Sequence, residues 1–109
     1  MASNKIEITL PPAIKKGQVF PVAVRLDHPM DSGLRRDLTT GKKLPLFFVE
    51  TMEVHYGGKK VSWMELSPGV SQPPIIKFML NAGQGGPLRI KIKNNKGQEF
   101  ENQVNVKTN

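Results

Sequence analysis

Apolar and polar residues alternate with a period of two along most of the chain. Ile6, Ile8 and Leu10 interleave with Lys5, Glu7 and Thr9, the pattern of a half-buried strand, and Pro11-Pro12 ends it. Phe20, Val22, Val24 and Leu26 share one parity and face a core, while Arg25 and Asp27 take the other. A third run, 45–56, is rich in Phe, Val, Thr and Met. Gly57-Gly58 then forms a two-residue turn into 59–66, the strongest hairpin signal in the sequence. Further strands are predicted over 75–80, 88–93 and 98–106, the last two joined through Asn94-Asn95-Lys96-Gly97. No window holds apolar residues at spacings of three and four, so no long helix is predicted.

Seven short strands separated by Gly, Pro and Asn turns predict an all-β chain. The architecture expected is an immunoglobulin-like β-sandwich of about seven antiparallel strands, without a disulfide. Periodicity alone also admits a closed barrel. No internal repeat, linker or low-complexity tract divides residues 1–109, which read as one domain. One connection departs from the pattern. The stretch 29–44 is longer than the ~12–15 residues usual for a structureless loop in a compact domain, and such loops often carry function.

Composition narrows the chemistry. The 109 residues contain no cysteine, which excludes disulfides, thiolate metal sites and a thiol nucleophile. No segment approaches the ~20 apolar residues that cross a bilayer, so membrane insertion is not expected. The residues around Met1 to Glu7 have no apolar h-region, so a secretory signal is not expected there. Sixteen Lys and Arg against nine Asp and Glu give a net charge of +7, which admits anionic partners.

Catalysis finds little support in the residue types. His28 lies between Asp27 and Asp31, but Asp27 takes the opposite strand face and Pro29 breaks the geometry directly afterwards. His28 reads as a strand-end residue hydrogen-bonded within its loop, and His55 as an exposed strand residue near the hairpin. Glu99 and Glu101 share a strand face and read as solvated positions. The glycine-rich stretch 81–87 lacks the Lys-Ser/Thr ending of a phosphate loop, and Gly33 is too far from Gly41-Lys42-Lys43 to complete one. No catalytic residue, metal site or cofactor is expected, and the chain reads as no enzyme.

The cations are more informative. Arg89, Lys91 and Lys93 alternate with Leu88, Ile90 and Ile92, placing three basic side chains on one strand face. Nucleic-acid readers built on strands add stacking aromatics to such a face. Aliphatics interleave here, so nucleic acid ranks below a solvated face and below an acidic protein partner. A stand-alone basic β-domain binding nucleic acid is the alternative function.

The stretch from His28 to Asp37, through Pro29, Met30, Asp31, Gly33, Arg35 and Arg36, resembles the signature of the SoxZ family. That family shows a His-Pro-Met-acidic-x-Gly-x-Arg-x-Asp pattern followed by Gly-Lys-x-Ile/Leu-Pro. Gly41-Lys42-Lys43-Leu44-Pro45 matches the second part, and the likeness continues through Lys16-Gly17, Pro73-Pro74 and the Gly-ended last hairpin.

The resemblance implies an immunoglobulin-like scaffold subunit of the bacterial thiosulfate-oxidation carrier. It implies a heterodimer with a SoxY-type subunit, whose Gly-Gly-Cys-Gly arm holds the sulfur intermediate covalently, and transient contacts with other thiosulfate-oxidation enzymes. It also implies a periplasmic location, reached by export with a signal-bearing partner. Two roles stay open for 28–37. The loop is a structural knot, with Asp31 or Asp37 pairing with Arg35 or Arg36 and Gly33 making a turn, or it faces the partner or substrate.

Overall fold

The computed structural model describes residues 5–28, 30–34, 36–43, 46–66 and 74–109. Their strands run β1 (Ile6–Thr9), β2 (Val19–Leu26), β3 (Asp31–Ser32), β4 (Leu46–Phe47), β5 (Val49–Tyr56), β6 (Lys59–Glu65), β7 (Ile75–Asn81), β8 (Gly86–Asn94) and β9 (Glu99–Val106). The described residues contain no helix.

Seven of these strands form two antiparallel sheets, ordered β1-β2-β7 and β6-β5-β8-β9. The period-two pattern explains the layering, because each strand turns one parity inward. Phe20, Val22, Val24 and Leu26 of β2 meet Met52 and Val54 of β5 and Leu88, Ile90 and Ile92 of β8 in one core cluster. All nine are buried to within a few per cent. Each such side chain contributes about 1.5–3 kcal/mol relative to exposure. The expected sandwich is therefore present, with its seven strands close to the predicted runs.

Turn chemistry closes the ends. Gly57 and Gly58 both have positive φ (61° and 84°), as a two-residue turn matching the twist of β5 and β6 requires. At the same end, the Tyr56 hydroxyl donates to the Ala82 carbonyl across the two sheets. β1 stops at Thr9 and pairs only with residues from Ala23 to Leu26 of β2. The first half of β2 therefore has β7 on one side and no strand on the other among the described residues.

The stretch after His28 differs from the expected loop. Asp31↔Phe47 and Ser32↔Leu46 pair as a small antiparallel ladder, and Arg36↔Lys43 adds a bridge further out. The connection is a short hairpin arm, not an irregular loop. Its tip is built locally: the Asp37 carboxylate accepts the Thr39 and Thr40 N–H groups at 2.7 and 3.2 Å. Main-chain bonds join Asp37 to Lys42 and to Gly41.

Candidate functional site at the arm end of the sandwich

Five strand ends converge below the arm: the start of β1, the end of β2, the start of β5, the end of β8 and the start of β9. His28 follows β2 by two residues and turns inward, where it is buried. Asp27, one residue earlier, is exposed, as strand alternation predicts.

The last residue of β8, Asn94, decides how His28 is held. Its Oδ1 accepts the Lys96 and Gln98 N–H groups at 3.0 and 2.9 Å, which fixes the orientation of the amide. Its Nδ2 donates to Gln98 Oε1 at 2.8 Å and faces His28 Nε2 at 3.1 Å. His28 Nε2 is therefore the acceptor, and the ring proton belongs on Nδ1. The imidazole also packs 4.6 Å from the Phe47 ring and 6.4 Å from Phe100. Lys96 lies over Phe47 at 4.5 Å and Lys5 over Phe100 at 5.5 Å, so ammonium groups cap the outer faces of this cluster. Such a histidine ties the end of β2 to the β8–β9 turn.

Asn95 performs the matching task for the arm. Its Oδ1 accepts the Phe48 N–H at 3.0 Å and its Nδ2 donates to the Leu46 carbonyl at 2.8 Å. Buried Met30 places its sulfur 3.4 Å from the Val49 nitrogen. The arm is pinned at its base by Asn95 and Met30 and projects beyond it, with Leu34 and Leu38 exposed. Neither asparagine was singled out from the sequence, where Asn94-Asn95-Lys96-Gly97 reads as a turn and nothing more. The sequence signal was the doubled Asn itself, since a turn needs only one.

The remaining residues of the signature divide. Gly33 has φ +82°, consistent with the turn expected there, and its α-carbon faces Leu46. Arg36 donates from a guanidinium nitrogen to the Gly41 carbonyl at 3.0 Å, and the Asp37 carboxylate caps the tip. Asp31 contributes its backbone to β3. Pro29 and Arg35 lie outside the described residues.

The basic strand face is more balanced than the sequence of β8 suggests. Arg89 lies 3.9 Å from Glu101, and Lys91 lies 3.7 Å from Glu99. Lys93 stands across from Glu99 in register. The acids come from the neighbouring strand, so the cations form one row of a mixed lattice and not a cationic patch. On the other flank of β8, Glu53 lies 3.2 Å from Lys60, whose hydrogen bond holds its carboxyl below the usual 4.5 despite burial acting the other way. His55, expected to be exposed, is mostly covered and sits 3.8 Å from Glu53. Among the described residues, no group of three or more His, Cys, Asp or Glu is placed to hold a metal ion.

Residues 8–105 match the model of the family described as sulphur oxidation protein SoxZ. The chain belongs to the SoxZ family. Membership assigns it to sulfur oxidation. No curated protein matches it by sequence.

Solved structures share its fold at low identity. The sulfur carrier protein SoxY from Chlorobium limicola f thiosulfatophilum superposes with a TM-score of 0.69 at 15% identity, covering 98% of this chain and 77% of that one. A superoxide reductase (neelaredoxin) from Ignicoccus hospitalis gives 0.68 at 18%, covering 97% and 81%. A putative superoxide reductase from Thermotoga maritima gives 0.68 at 14%, covering 95% and 85%. At these identities the likeness is one of fold.

Proposed function

We propose that this SoxZ-family chain is the noncatalytic scaffold half of a heterodimeric sulfur carrier in thiosulfate oxidation. Its partner is a SoxY-type subunit whose cysteine holds the sulfur intermediate. One observation carries the reading: the SoxZ match spans 8–105 of a sequence that has no cysteine with which to hold sulfur. The arm end supports it. His28 is buried with its Nε2 engaged by Asn94, and this cluster ties elements together without presenting a nucleophile.

The arm is the part of the signature that reaches outward. Asp37 caps the tip, and among the described residues Arg36, Lys42 and Lys43 are the arm's exposed cations, together with exposed Leu34 and Leu38. In this reading His28 and Met30 anchor the arm, and its arginines meet the partner, the carried anion or the enzymes that visit it. The complex acts in the periplasm, exported with a signal-bearing partner.

A reconstituted thiosulfate-oxidising mixture tests both statements. Turnover should require this chain in addition to the SoxY-type subunit. Arg35→Ala combined with Arg36→Ala should lower complex formation or turnover without unfolding the domain. Full turnover without the chain would overturn the scaffold role. Normal affinity and turnover from a folded double variant would remove the arm from contact.

A further inference from the structure

The two outer faces of the sandwich differ in how their charges are paired. The four-stranded sheet presents three ion pairs to water, Glu53–Lys60, Arg89–Glu101 and Lys91–Glu99, with half-exposed Trp63 across from Glu53. Antiparallel sheets ordinarily turn such a polar face outward. On the three-stranded sheet that face is mixed, with a single ion pair, Glu7–Arg25, among the described residues. Its outer parity on β2 is Val19, Pro21, Ala23 and Arg25, in register with Asn81, Met79, Lys77 and Ile75 of β7. Val19, Ile75 and Met79 are 53, 55 and 61% exposed.

The inner parity of β7 is Ile76, Phe78 and Leu80, and its outer parity sets Ile75 and Met79 beside Lys77 and Asn81. Where β1 stops short, Leu10, Pro11, Pro21 and Ala23 line an apolar groove of about 380 Å³, and Pro21 occupies the half of β2 that no β1 residue pairs with. Exposed apolar side chains gathered beside such a groove mark an interaction site.

Charge selects the occupant. Arg25 is 3.7 Å from Glu7 at one end of the face. Lys77 stands in the middle, paired in register with Ala23 and lining the groove, with no acid in ion-pair reach among the described residues. Lys15 and Lys16 are exposed in the connection between β1 and β2. A second copy docked face to face about a two-fold axis would bring Lys77 towards Lys77, on a chain that already carries +7.

We propose that the outer face of β1-β2-β7 is the subunit interface, and that its occupant is a different folded subunit presenting an apolar surface with a carboxylate opposite Lys77. This deepens the scaffold reading and rests on it. The face is distinct from the arm, which leaves the arm accessible while the subunits are joined.

The test measures affinity of the intact chain and its variants for the cysteine-bearing SoxY-type subunit, with unfolding midpoints as controls. Lys77→Glu and Met79→Asp should each weaken binding by about tenfold or more, as central interface positions do, and Lys77→Arg should retain it. Lys93→Glu makes the same change of charge on the opposite sheet and should change affinity less than about threefold if only the general field is altered.

Wild-type affinity from folded Lys77→Glu and Met79→Asp would overturn the proposal. So would equal weakening by Lys93→Glu, which would reduce the effect to net charge. A stable homodimer of the wild-type chain that Met79→Asp dissociates would assign the face to a second copy and also overturn it. No binding by the wild-type chain would overturn the scaffold reading itself, an outcome separable from the others.

Discussion

Asn94 shows how much one side chain can organise when all its hydrogen-bonding capacity is used. Its amide accepts two turn N–H groups and donates to Gln98 and His28. Asn94→Ala leaves these groups without partners in a buried place, and should destabilise the domain by about 1–3 kcal/mol, read from denaturant unfolding. Asn94→Asp should not restore stability, because a carboxylate has no N–H to offer Gln98 or His28. Full stability in Asn94→Ala would contradict the network.

Tyr56 gives a second test at this scale, since it is the only tyrosine in the chain. Burial raises its hydroxyl above the usual 10.0, so the neutral phenol is the form that the folded state favours. The associated stability is complete below pH 10 and drains as pH rises through the higher folded value. A near-ultraviolet absorbance titration of the native protein should show ionisation above 10.0, and ionisation at or below 10.0 would contradict it.

Elements were legible where a single strand carries its own signal. The alternation in β1, β2 and β8 and the Gly57-Gly58 turn marked strands close to those observed, because period and turn chemistry are local properties. The arm was not legible as a hairpin. Its ladders are two residues and one bridge, too short for any periodicity, and Asn95, far along the chain, holds its base. The cations of β8 are legible along that one strand, while the Glu99 and Glu101 beside Lys91 and Arg89 lie on the next strand and are not. The histidine was placed correctly as a strand-end residue, but its Asn94 partner is 66 positions away and no local pattern points to it. The Asp37 carboxylate caps Thr39 and Thr40, the short-range option open to an Asp at a turn, while a pairing of Asp31 or Asp37 with Arg35 falls outside the described residues.

The whole molecule is elongated, 54 × 23 × 22 Å, with a radius of gyration of 15.9 Å against roughly 13 Å for a compact chain of this length. Its nine-residue β8 spans about 30 Å. One sandwich thus offers three surfaces: a sheet with three ion pairs, a sheet with Val19, Ile75 and Met79 exposed, and a basic arm. In the proposed function, a SoxZ-family chain without cysteine would use such surfaces to hold and present a partner.

Native mass measurement after co-expression with a cysteine-tailed SoxY-type subunit tests that claim most directly. The account predicts a one-to-one complex that survives purification. A chain that stays alone beside that subunit, and is retained on DNA in a salt-sensitive way, would contradict it.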